Sequence, residues 1–179
     1  MTFVSPARTR AAAITALLAS TALLGAACGG EDTADAAGTV TVHATDFAFD
    51  DLPDEVELGT TFELVNDSEV ELHELVAVRL PDDETRSAHD IVHDGIESMF
   101  AVEPAFVLVA APGGPQINAV GDGTVTEPGR YIVVCMIPTG VDPEEFLEAA
   151  QNSNGGPPQI ENAGAPHIAH GMFGEFTVG

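Results

Sequence analysis

The apolar and polar positions of this chain alternate with the period of strands. Thr39 to Phe49, TVTVHATDFAF, sets Val40 and Val42 on one parity and Thr39, Thr41 and His43 on the other, the period of two that sends alternate side chains to opposite faces of a half-buried strand. The stretch DLPDEVELGTTFELVNDSEVELHELVAVRLPDD follows, and Pro53, Gly59 and the turn-rich NDSE cut it into further strand-length pieces. In its last piece Leu72, Glu74, Val76 and Val78 share one parity, and His73, Leu75, Ala77 and Arg79 the other. Neither set is purely polar, so the alternation leaves open which way His73 points. AFVLVAA (Ala105 to Ala111), QINAVGDGTVTE with its Gly-Asp-Gly turn, and GRYIVVCMI after Pro128-Gly129 each have strand length and β-branched content. The closing MFGEFTVG alternates Met172, Phe176 and Val178 with small or polar residues and predicts a last strand.

Only two segments read as helix. SAHDIVHDGIESM, Ser87 to Met99, offers Ser87 as N-cap with Asp90 three residues on, a short capping box. DPEEFLEAAQNSNGG offers Asp142 as N-cap, Pro143 at the first helical position and Asn-Gly stop signals. Many short strands, turn signals between them and two short helices predict an all-β sandwich or barrel. There is no internal repeat, and 179 residues hold one domain of ordinary size with a leader and loops.

The leader is visible at the start. Arg8 and Arg10 precede AAAITALLASTALLGAA, which runs to Cys28 with no acidic residue before Glu31, the pattern of a secretory signal peptide. LLGAACGG resembles a bacterial lipoprotein processing box, although Leu24 stands one place early and Gly25 occupies the usual leucine position. That resemblance implies a signal peptide over residues 1–27 and a lipid on Cys28. Residues 28–38 would form a flexible tether, and residues 39–179 the domain, held at the outer face of a bacterial cell membrane. Ordinary cleavage would instead release a secreted domain. Charge agrees with an extracytoplasmic surface that avoids polyanions. The chain has no lysine, and beyond the leader only Arg79, Arg86 and Arg130 stand against 29 carboxylates. Such a surface repels nucleic acid and would steer partners with a basic face toward it, while solubility or adaptation to salt accounts for it ahead of any specific docking site.

Cys135 then needs a reason. With Cys28 assigned to lipid, an exported domain with one other cysteine forms no internal disulfide, so Cys135 is either an apolar filler or a working group. His73, His167 and Met172 lie where strands of a sandwich can gather them beside it. Two imidazoles, a thiolate and a distant thioether suit copper in both of its oxidation states.

Over Thr39 to Gly179 the chain resembles the cupredoxins, the plastocyanin- and azurin-like blue copper domains. The resemblance rests on VTVHATDFAFD, on LVNDSEVELHELVAVRL with its histidine, on EPGRYIVVC, and on PHIAHGMFGEFTV. It implies a Greek-key β-sandwich and one type 1-like copper, with His73 after the Asn-bearing turn, Cys135 after Pro-Gly-x-Tyr, and His167 five residues before Met172. His170, two residues before Met172, does not fit that spacing. One departure stands out. Plastocyanin-like domains place the second histidine three residues after the cysteine, where this chain has Pro138. Its counterpart His167 returns only after the excursion Thr139 to Pro166.

His89 and His93 form a competing i, i+4 pair on the first helix, with Asp94 or Glu97 nearby, but spacing indicates no third ligand. There is no nucleophile elbow, phosphate loop or helix-borne HExxH, and an enzyme is not expected. The expected function is single-electron transfer by a membrane-tethered copper protein with a redox or copper-exchange partner. Copper capture and delivery, or a metal-free module for protein binding, are the alternatives.

Overall fold

The computed structural model describes residues 37–96, 101–153, 158 and 160–179. The expected signal peptide, Cys28 and most of the expected tether lie outside the described residues, as do Glu97 to Met99. Among the described residues, no helix is long and apolar enough to cross a membrane.

Among the described residues nine strands form in chain order: β1 (Thr39–Thr45), β2 (Ala48–Asp50), β3 (Glu55–Val56), β4 (Thr61–Asn66), β5 (His73–Arg79), β6 (Phe106–Ala110), β7 (Gln116–Val120), β8 (Gly129–Val134) and β9 (Phe173–Val178). They make two sheets, β2-β1-β4 and β3-β9-β8-β5-β6-β7. The β1–β4 and β3–β9 pairs are parallel and the others antiparallel. The core lies between the sheets. Val42 and Ala44 of β1 and Phe62 and Leu64 of β4 meet Leu75, Ala77, Phe106, Leu108, Tyr131, Val133 and Phe176 of the larger sheet. Phe62 packs on Phe106 and Phe176 at 5.4 and 4.7 Å between ring centroids, and Tyr131 stacks on Phe176 at 5.1 Å. Each such pair adds about 0.5–1.5 kcal/mol beyond the area it buries.

The mixed parity of β5 now has a cause. His73, Leu75 and Ala77 face the sheet-to-sheet core, while Val76 and Val78 join a second apolar cluster with Ile132, Val134 and Ile168, capped by Ala88 and Ile91. Those last two belong to α1 (Ala88–Asp94), which lies on the outer face of the larger sheet. A central strand covered on both faces has no polar side to show.

Ser87 caps α1 by accepting from the Asp90 N–H, as expected, but the helix ends at Asp94. Gly95, at φ 111°, takes a conformation that L side chains rarely adopt and turns the chain out of the helix before the expected Met99. α2 (Pro143–Asn152) follows its N-cap, with the Asp142 carboxylate accepting from the N–H groups of Glu144 and Glu145. Gly123, at φ 89°, lets the chain pass so close to β4 that an added Cβ would run into the Phe62 carbonyl oxygen. The Phe62 N–H donates to the Gly123 carbonyl at 2.9 Å across that contact.

Candidate metal centre

The register of the larger sheet brings the soft and imidazole groups to one pole. His73 opens β5 with its side chain on the inward parity. Cys135 continues the inward parity of Tyr131 and Val133 just past the end of β8. Met172 stands immediately before β9, and the Cys135 N–H donates to its carbonyl at 3.1 Å. The remaining histidine arrives by the excursion. Pro138 and Pro166 pair across an isolated antiparallel bridge, the Thr139 N–H donates to Ala165 at 2.9 Å, and the His167 N–H donates to Ile137 at 2.9 Å. A 3-10 turn, His167–His170, then carries the chain back to Met172. The long connection thus closes as a hairpin neck, and His167 sits beside Cys135 much as a short ligand loop would place it.

His73, Cys135 and His167 are each fully buried, and their donor atoms all lie within 4.8 Å of one another. The Nδ1 atoms of the two histidines are 3.1 Å apart, and Cys135 Sγ is 3.3 Å from His167 Nδ1. Bonds of about 2.0–2.3 Å from a first-row metal to nitrogen and sulfur, in a trigonal plane, set donors about 3.5–3.8 Å apart. These two separations are a few tenths of an ångström tighter and the third lies within 4.8 Å, so side-chain shifts would admit an ion. Met172 is fully buried in the same core cluster as Cys135. His73 Nε2 is buried without a hydrogen-bond partner, whereas the Glu74 N–H donates to Cys135 Sγ at 3.5 Å.

The electrostatics suit a cation. Burial first, and then the neighbouring His167, lower the His73 pKa from its ordinary 6.5 to about 4. Burial also lowers that of His167, against the opposing pull of Glu71. Both imidazoles are therefore neutral near pH 7, with lone pairs free to bind. Burial, followed by the Glu74 carboxylate, pushes the Cys135 thiol well above its ordinary range. Only an entering positive charge would release that proton and make the thiolate. Glu74 itself is raised to about 7 by burial, partly offset by the Met136 N–H that it accepts at 3.0 Å.

Two groups around the site had no signal in the sequence reading. Glu71 Oε2 accepts from the Gly140 N–H at 2.9 Å and lies 3.3 Å from His167 Nε2. Among 29 carboxylates nothing singled it out except its shared parity with His73. Phe47, in the left-handed region at φ 68°, packs edge-on to His167 at 5.2 Å and against His170 at 4.6 Å. It covers the buried imidazole, while His170 faces solvent outside the donor cluster.

Among the described residues the competing pair gains no third ligand, and Glu97, one of its two candidates, lies outside them. His89 and His93 lie on the exposed side of α1 with ring centroids 4.3 Å apart. Among the described residues, the one group of three or more histidine, cysteine or acidic side chains with converging donors is His73, Cys135 and His167.

The fold is a two-sheet β-sandwich with three buried donors gathered at one pole.

No protein-family model and no curated protein matches the chain. Among solved structures it is similar to dithionite-reduced auracyanin from Roseiflexus castenholzii, with 21% identity over 79% of this chain and 96% of that one, at a TM-score of 0.42. It is also similar to auracyanin A of Chloroflexus aurantiacus, described as a "blue" copper protein, with 17% identity over 79% and 98% of the two chains and a TM-score of 0.42. Auracyanin B shares 20% identity over 79% and 88%, at 0.36. The case for a metal centre in this domain stands on its own donor atoms.

Proposed function

We propose that the chain is an exported, membrane-tethered electron carrier that binds one copper ion through His73 Nδ1, Cys135 Sγ and His167 Nδ1, with Met172 as the weak fourth ligand. The observation that carries this reading is the convergence of two imidazole nitrogens and a thiol, all fully buried, at one end of the sandwich. Nitrogen and thiolate donors together suit both copper oxidation states, and the bound ion would supply the one-electron redox step. The chain's own residues do the rest. Strands β5 and β8 and the Pro138–Pro166 neck hold the donors in place, so that little has to reorganise when an electron arrives. Phe47 covers His167 and keeps water from it.

The acidic surface favours a partner with a basic face. The LLGAACGG box supports attachment through a lipid on Cys28, which would keep the carrier at the outer face of the membrane. Thiolate and thioether donors also favour Cu(I), and surface copper capture and delivery is the second reading on that account.

Titrating Cu(II) into the Cys28→Ser chain, where Cys135 is the remaining thiol, tests the proposal. An intense visible absorption from thiolate to copper, lost in Cys135→Ser, is expected. Folded protein that takes up copper without that band would sink the type 1 assignment. Reversible voltammetry supports electron transfer, and tight Cu(I) binding without reversible exchange supports capture.

A further inference from the structure

We propose that Glu71 is the positioning residue of this centre, holding His167 with Nδ1 turned toward Cys135 and His73 and tying that imidazole to the root of the excursion. The inference rests on the copper reading only in taking His167 as a ligand.

The argument begins with what a carboxylate can do. Glu71 Oε2 accepts from the Gly140 N–H at 2.9 Å, so as an acceptor 3.3 Å from His167 Nε2 it places the ring proton on Nε2. Nδ1 is then the bare nitrogen, and it is the atom that lies 3.3 Å from Cys135 Sγ and 3.1 Å from His73 Nδ1. A metal-ligating histidine commonly donates its other ring N–H to a carboxylate or carbonyl, which sets the tautomer, fixes the ring plane and raises ligand basicity.

Glu71 is itself rigidly placed. Its backbone N–H donates to Ser68 Oγ at 2.9 Å, and its carbonyl accepts from Asn66 Nδ2 at 2.9 Å. Asn66 in turn accepts from the Ser68 N–H and donates to the Ala110 carbonyl. The turn from Asn66 to Glu71 is thus a built platform between β4 and β5, with the Glu71 side chain projecting from its end. The same Oε2 accepts from the Gly140 N–H at 2.9 Å, just inside the neck. One carboxylate oxygen therefore binds both the ligand that ends the excursion and the backbone that begins it. Where a short loop would fix the distance from cysteine to histidine through the chain itself, this fold adds a side-chain clamp across the gap.

The test compares the full chain with Glu71→Ala and Glu71→Gln. Glutamine keeps an oxygen that accepts from both N–H groups, and alanine keeps neither bond. In metal-free protein, long-range proton–nitrogen NMR of the imidazoles should show His167 protonated at Nε2 and bare at Nδ1 in the wild type and in Glu71→Gln. Glu71→Ala should lose that single tautomer while circular dichroism shows the fold intact. On copper, Glu71→Ala should bind about 10–100-fold more weakly and with a shifted visible band, and Glu71→Gln should recover most of both. A clamp of purely structural value would lower stability without moving tautomer or band. His167 protonated at Nδ1 in the wild type, or Glu71→Ala matching it in tautomer and in copper affinity within twofold, overturns the inference. A wild type that shows the tautomer result but takes no copper supports the hold of Glu71 on His167 and sinks the copper reading instead.

Discussion

Pro138 and Pro166 face each other across an isolated antiparallel bridge, and that pairing brings the chain back to Cys135 after the α2 excursion. Further hydrogen bonds tie the neck. The Thr139 N–H and hydroxyl both donate to the Ala165 carbonyl, at 2.9 and 2.7 Å, and the Gly164 N–H donates to Thr139 at 3.0 Å. The excursion is anchored by packing as well, since Val141 and Phe146 are buried in the main core and Leu147, Ile160 and Ala163 rest against it.

Phe146 is the largest of those anchors. Phe146→Ala should cost about 3 kcal/mol in denaturant unfolding, at the low end for a buried phenylalanine because the site is near the rim. It should also loosen His167, so that a chelator strips copper faster than from the wild type. A stability within about 0.5 kcal/mol of the wild type would mean that the excursion is not an anchor.

Copper should stabilise the folded state by mass action. An ion that binds only the native protein adds about 2.7 kcal/mol when free ligand is a hundredfold above Kd. Thermal unfolding should therefore shift upward on adding Cu(II) and return on adding a chelator. The shift should vanish in His73→Ala and in Cys135→Ser, and a shift that survives both substitutions would place the bound ion elsewhere.

Acid should act on the metal-free protein through opposed groups, among them His73 and Glu74. His73 is depressed to about 4, so its contribution is present above the unfolded value of 6.5 and is lost as pH falls toward 4. Glu74 is raised to about 7, so its contribution is full below the unfolded value of 4.5 and is lost as pH rises through 7. Between pH 4.5 and 6.5 the two slopes oppose. Glu74→Gln removes one of them, and urea unfolding at pH 7, 6 and 5 should show its stability falling more steeply on acidification than that of the wild type. Parallel curves would show that Glu74 does not titrate differently in the folded state.

Gly123 is where the backbone itself limits substitution. Gly123→Ala puts a Cβ against the Phe62 carbonyl in a left-handed conformation, and should cost about 2–3 kcal/mol. Gly113→Ala, also at positive φ but with open space around it, should cost about 1–2 kcal/mol. Equal losses in thermal unfolding would remove the steric argument.

Much of the fold was legible because strand alternation and capping are local. Val42 and Ala44 of β1, the Asp142–Pro143 start of α2 and the alternation of Met172, Phe176 and Val178 each follow from side chains a few residues apart. The length of α1 was not, because Gly95 reads as tolerable inside a helical pattern until its φ is known. Among the candidate ligands, Cys135 and His73 could be named from residue type and setting, and His167 through a family spacing. That His167 reaches them despite Pro138 depended on a bridge between positions far apart in sequence.

By itself the sequence determined the strand period, 29 carboxylates without a lysine, and a set of soft and imidazole donors, since composition and short-range alternation carry those properties. Only the tertiary structure decided which parity of β5 faces the core, that three donors converge, and that Glu71 out of 29 carboxylates meets His167. The physical reason is that a donor atom's partner is set by register and by where a long loop closes. Both are decided by pairings across the sandwich rather than by neighbours along the chain.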